Sequence, residues 1–140
     1  MGKEGARLIE VLLSLHPPYW ELMKTGAKTE EIRKTMPLQI PSSEYPFRVI
    51  VYLTGGIGVV GKFECDKIRR SLDLDSFVNG SCLTKNELYA YAAGKPLCGW
   101  HIKENSVVEY ETPFPLERAT GLKHPPQSWR YLRKDTHEKE

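Results

Sequence analysis

In the stretch Lys28-Thr29-Glu30-Glu31-Ile32-Arg33, ionisable side chains stand close enough to share one site. Alternate residues of an extended chain share a face, so Glu31 and Arg33 point one way and Glu30 and Ile32 the other. A carboxylate and a guanidinium on one face make a polar pair suited to a cleft, with Glu31 orienting Arg33 through a charge-assisted hydrogen bond. The plainer alternative is a structural ion pair on a sheet wall. Glu64 is a further carboxylate, although a strand glutamate ordinarily faces solvent. His16 lies close by in sequence, and an unperturbed pKa of about 6.5 suits an imidazole to proton transfer. Ser14 and His16 with any acid do not form a spacing specific enough for a nucleophilic triad.

The elements around this stretch follow from local signals. Val11-Leu12-Leu13-Ser14-Leu15-His16 reads as a strand over about residues 9 to 16. Pro17-Pro18 opens a short helix in which Tyr19 and Met23, four apart, share a face. Gly26 ends it, because the position just past a helix takes a left-handed conformation in which a Cβ would clash. Residues 36–46 hold three prolines and two serines and read as a loop. Phe47-Arg48-Val49-Ile50-Val51-Tyr52-Leu53 reads as a strand buried on both sides. Thr54-Gly55-Gly56-Ile57-Gly58 is expected to be a hairpin turn: a phosphate-cradling loop opens a helix, whereas an alternating strand follows here. Residues 68–83 read as a long loop with room for a short helix. Thr84-Lys85-Asn86-Glu87 is a capping box that starts a helix carrying Leu88 and Tyr91. Residues 97–103 and 107–112 are expected to form a closing hairpin. The prolines from 113 to 126 point to irregular chain, and residues 129–132 to a last short strand.

The chain has 140 residues, 40% hydrophobic and 27% charged, which suits one domain with its own core. No apolar run reaches the roughly 20 residues that cross a bilayer, and the first residues do not read as a signal peptide. The expected location is therefore cytoplasmic, with no membrane partner. The expected organisation is a leader over residues 1–8, one domain over 9–133 and a mobile charged tail over 134–140. Cys65, Cys82 and Cys98 are too widely spaced for a zinc pair, and the four histidines are too scattered for a metal site. No metal or cofactor is expected, and the thiols read as small buried groups. The net charge is only +2, but residues 113–134 carry five basic residues against Glu117 alone. Phe114, Trp129 and Tyr131 lie among them, and interleaved cations and rings suit phosphate attraction and base stacking. Several short strands with helices only in the connections argue for an α+β fold built on a small β-barrel. Val49, Val51, Phe63 and Ile102 are its expected shared core.

The order Leu15, Tyr19, Met23, Gly26, Lys28, Glu31, Arg33 resembles the Gly-x-Lys-x-x-Glu-x-Arg signature of ASCH domains. Gly99-Trp100-His101-Ile102 and Pro126-Gln127-Ser128-Trp129-Arg130-Tyr131-Leu132 resemble the end of longer ASCH proteins. The resemblance covers most of residues 11 to 132. It implies a small PUA-like antiparallel β-barrel with two or three short helices, and a cleft that binds RNA or a nucleoside- or nucleotide-like ligand. That cleft would be lined by Tyr19, Lys28, Glu31, Arg33 and Trp129. The resemblance also implies an alternative, since some small ASCH proteins are amidohydrolases of N4-acylated cytidine that use a lysine, a threonine and a glutamate. The lysine maps onto Lys28, but Glu31 stands at the threonine position, and Asn79-Gly80-Ser81-Cys82 offers no carboxylate ahead of the second helix. In that alternative Lys28 and Glu31 are the pair able to share a proton. A third reading is a protein-interaction adaptor whose cleft is vestigial.

Overall fold

The computed structural model describes residues 9–133. The leader over 1–8 and the tail over 134–140 lie outside the described residues. One sheet contains seven strands: β1 (Ile9–Leu15), β2 (Glu30–Arg33), β3 (Phe47–Leu53), β4 (Gly58–Ser71), β5 (Leu97–Ile102), β6 (Val108–Phe114) and β7 (Trp129–Arg133). The described helices are short: α1 (Pro17–Thr25), α2 (Val78–Ser81), α3 (Lys85–Ala92) and α4 (Leu116–Thr120). None is long and apolar enough to cross a membrane.

The sheet order is β2-β5-β4-β3-β1-β7, with β6 also paired to β4. The mixed α+β class and the mainly antiparallel pairing are as expected, with one parallel pair and with the expected closure of the barrel corrected. The pair β1 and β3 is parallel, with Val11 opposite Val49 and Leu15 opposite Leu53. A parallel pair needs a crossover, and the chain from α1 through β2 supplies it. The sheet also stays open, since β2 and β7 are its two ends and no ladder joins them.

Most elements follow the local signals. Gly26 takes φ 86° and closes α1 with its N–H on the Met23 carbonyl. Thr84 and Glu87 form the full capping box of α3. Val49, Val51, Phe63 and Ile102 share the main core with Trp20, Met23 and Trp100. β4 departs from expectation by continuing to Ser71, through polar residues that local reading gives to a loop. Its second half is held from the side: Cys65 to Ser71 pair with β5, and backbone pairing suits polar residues as well as apolar ones. The expected hairpin between β5 and β6 is also corrected. β3 occupies one edge of β4, and β5 and β6 follow one another along the opposite edge, at Cys65–Ser71 and Val59–Lys62. The proline-rich stretch contains α4, which Gly121 ends at φ 82°. Leu116 and Leu122 cover Leu12, Tyr52 and Val59 on the sheet's second face.

Candidate functional site

Lys28 owes its position to the end of α1. Past Gly26 the chain reverses, and the Lys28 N–H bonds back to the Leu22 carbonyl at 3.0 Å. The side chain then runs inward and is only 2% exposed. Its ammonium donates to the Ser81 carbonyl at 2.8 Å and lies 5.1 Å from the centre of the Tyr19 ring. Ser81 can come this close because Gly80 packs against β2 without a side chain; a Cβ there would sit 2.9 Å from Thr29 Oγ1. Thr29 N–H fixes the contact by donating to the Gly80 carbonyl at 2.8 Å.

Glu31 stands between two cations. Its Oε1 is 3.2 Å from Lys28 Nζ, and its Oε2 sits in the guanidinium fork of Arg33, 2.7 Å from both Nε and Nη2. Oε1 is buried without a well-aligned hydrogen bond, so its contact with Lys28 is chiefly electrostatic. Arg33 uses its remaining donors on the frame. Nη2 donates to the Ser14 carbonyl, and Nη1 to the carbonyl and hydroxyl of Ser128. Arg33 is therefore a strut that ties β2 to β1 and to the approach of β7, across the side where the sheet is open. Glu30 faces the other way, paired with Arg69 at 2.8 Å, as alternation along the strand requires.

These side chains line a cleft of about 650 Å³. It brings together His16, Tyr19, Lys28, Glu31 and Arg33 of the expected residues. The His16 ring is exposed, with Nδ1 2.9 Å from Thr54 Oγ1, and Ser14 Oγ donates to the Pro126 carbonyl, so the two are not aimed at each other. Trp129 is not in the cleft. It packs edge-on against Trp100 and Tyr131 and donates to Thr35 Oγ1, because a large ring at this open seam gains more from burial than from facing solvent. Glu64 is also elsewhere, 3.6 Å from Lys103.

The walls include residues that local reading did not select: Lys34, Thr35, Glu87, Tyr91, Gln127 and Ser128. Gln127 and Ser128 were visible as part of the Pro-Gln-Ser-Trp ending. Glu87 and Tyr91 were visible only as helix positions, and nothing local signals that α3 flanks β2. Glu87 does place a carboxylate in the cleft from the second long helix, but its Oε1 accepts the Thr84 N–H. Burial is the main cause that raises the phenol pKa of Tyr19 and of Tyr91 above the usual value, which keeps both rings neutral. Among the described residues, no three His, Cys, Asp or Glu side chains are placed to hold a metal.

No family model matches the chain, and no curated protein matches it. Solved structures do. A mutant of the ASCH protein from Zymomonas mobilis superposes with a TM-score of 0.72 at 22% identity, covering 93% of this chain and 92% of that one. A second mutant gives 0.72 at 22%, covering 93% and 94%. The parent ASCH protein gives 0.70 at 21%, covering 93% and 92%. The superposition runs over nearly the whole of both chains, and the open sheet with its crossover helix and flanking short helices is therefore the ASCH fold.

Proposed function

We propose that the cleft binds a nucleoside- or nucleotide-like ligand, free or within single-stranded RNA. One observation carries this reading: Lys28, 2% exposed, and Glu31, 5% exposed, are buried at the floor of an otherwise open cleft. A buried ion pair adds little net stability, so a fold has no need of one, and ionised groups converging on a cleft are characteristic of ligand sites. The lining supports the same ligand class. Lys28, Arg33 and Lys34 outnumber Glu31 and Glu87, which favours an anion. Tyr19 and Tyr91 offer aromatic surface, and Thr54, Gln127 and Ser128 offer donors and acceptors for the edge of a base. The test is calorimetric titration with nucleosides, nucleotides and short single-stranded RNA at two salt concentrations. Binding should weaken with salt, and Lys28→Met, close in shape but uncharged, should weaken it by about tenfold. Equal affinity in the mutant would remove Lys28 from the site.

A second reading, hydrolysis of an N4-acylated cytidine, is favoured by the unused lone pair on Glu31 Oε1. In this reaction water adds to the acyl carbonyl and its proton passes to Glu31. The positive charge of Lys28 stabilises the oxyanion, and the C–N bond then breaks as Glu31 returns the proton to the N4 nitrogen, releasing cytidine and the carboxylic acid. Incubation with N4-acetylcytidine followed by chromatography tests it. Glu31→Gln keeps the shape and loses the base, so turnover should vanish; no cytidine above the uncatalysed rate from the parent protein rejects this reading.

A further inference from the structure

We infer that the ligand of this cleft carries a phosphate group, and that Lys34 at the mouth, seated on the ring of Tyr91, is the residue that reads it. The inference rests on the binding reading above and adds to it the chemical class of the ligand.

The cleft's cations differ in depth and in commitment. Lys28 is buried and already shared among the Ser81 carbonyl, the Glu31 carboxylate and the Tyr19 ring. Arg33 is part-buried and spends all three nitrogens on Glu31, Ser14 and Ser128. Arg33 has no donor to spare without breaking the frame, and Lys28 sits at the buried floor with its charge set against Glu31. Lys34 directly follows β2, where the chain leaves the sheet, and it is exposed. Among the described residues its ammonium has one partner, the Tyr91 ring, with 4.8 Å from Nζ to the ring centre. No carboxylate of the described residues lies within ion-pair distance of it. Of the two carboxylates in the lining, Glu31 already serves two cations and Glu87 caps α3. The excess positive charge of the site is therefore localised on Lys34.

The Tyr91 ring orients this charge without cancelling it. A ring face attracts an ammonium through its quadrupole but carries no net charge, so the cation stays available to an anion. Tyr91 is in turn fixed by α3, whose start is locked by the capping box and whose inner face is anchored by Leu88 in the second core cluster. A lysine is a compact point charge with three donors, which suits a phosphate approached from solvent. A cleft of about 650 Å³ falls within the usual range for one small-molecule ligand. The geometry thus orders the ligand, with its heterocycle inward against Tyr19 and its phosphate outward at Lys34. That phosphate is either the monoester of a free nucleotide or a diester of an RNA backbone.

The experiment compares uridine, uridine 5′-monophosphate and the methyl ester of that monophosphate by calorimetry, and repeats the set with adenosine, cytidine and guanosine. The parent protein should bind the phosphorylated form about tenfold more tightly than the nucleoside, and Lys34→Gln should bring that ratio close to one. Tyr91→Leu should lower the ratio part of the way, as expected for a positioning residue, without lowering the melting temperature by more than a few degrees. Lys123→Gln, an exposed lysine outside the cleft, should leave the ratio as it is. Preference for the monoester alone identifies a free nucleotide, and equal preference for the methyl diester identifies a backbone phosphate. Equal affinity for nucleoside and phosphorylated forms, or an unchanged ratio in Lys34→Gln, overturns this inference and leaves the cleft reading standing. Absence of binding by every probe overturns both.

Discussion

Glu31 is the residue on which the buried charges balance, since one carboxylate faces two cations at 7% side-chain exposure. Removing it leaves Lys28 and Arg33 uncompensated. Glu31→Ala should therefore cost about 3 to 5 kcal/mol in urea unfolding, the usual penalty for breaking a buried pair from one side. Lys28→Met should cost clearly less, because Glu31 keeps its two contacts with Arg33 and the methionine fills the same space. Equal costs would show that Arg33 does not hold the carboxylate. The thiols give a second check at this scale. Cys65 and Cys98 are buried, and burial pushes the Cys65 thiol up to about 12 and raises that of Cys98 as well. Cys82 is exposed, contrary to the expectation that all three thiols are buried. A thiolate is the reactive species. A disulfide reagent at pH 8 should thus titrate one thiol in the native protein, lost in Cys82→Ser, and all three after unfolding.

Among the elements, the link that matters is the one between β2 and β7, which no backbone ladder supplies. Arg33 crosses it to Ser128 and Ser14, Trp129 crosses it to Thr35, and the Tyr131 hydroxyl accepts the Gln39 N–H at 2.9 Å. The cleft lies at this seam, so its shape depends on these few side-chain bonds. Arg33→Lys keeps the charge and loses the planar fork that reaches three partners at once. It should destabilise the protein by about 2 kcal/mol, since the buried carbonyl of Ser14 and the half-buried acceptors of Ser128 lose their donors. It should also weaken ligand binding more than an exposed substitution of equal charge, Lys123→Arg, which touches no element of the seam. Full stability in Arg33→Lys would mean that the seam is held elsewhere.

For the whole molecule, the sheet is deepest at β3 and the first half of β4, which are paired on both sides and packed into the main core. β6 has its side chains largely exposed and pairs only with β4 through an irregular register. Hydrogen exchange should follow this order. Amides of Val49, Val51 and Phe63 should exchange only on global unfolding, and those of Glu109 to Thr112 through local opening at least about 2 kcal/mol lower in free energy. Uniform protection across β4 and β6 would contradict it.

The sequence alone determined the features with short-range causes. The proline pair and Gly26 bound α1, the Thr84 to Glu87 box starts α3, and alternation sends Glu31 and Arg33 to one face with Glu30 to the other. These signals need only neighbours in the chain; that Tyr19, Lys28, Glu31 and Arg33 share a cleft was implied by the resemblance to the ASCH signature, and the four do line one cleft. Tertiary structure alone decided what depends on distant partners. It extended β4 through Ile68-Arg69-Arg70, because β5 offers a backbone edge there that polar side chains do not forbid. It drew Trp129 away from the cleft and into edge-on contact with Trp100. It also swung Tyr91 of α3 beneath Lys34 of the chain past β2, residues 57 positions apart that no local pattern connects, because α3 buries Leu88 and Ala92 against Ile32 of that strand.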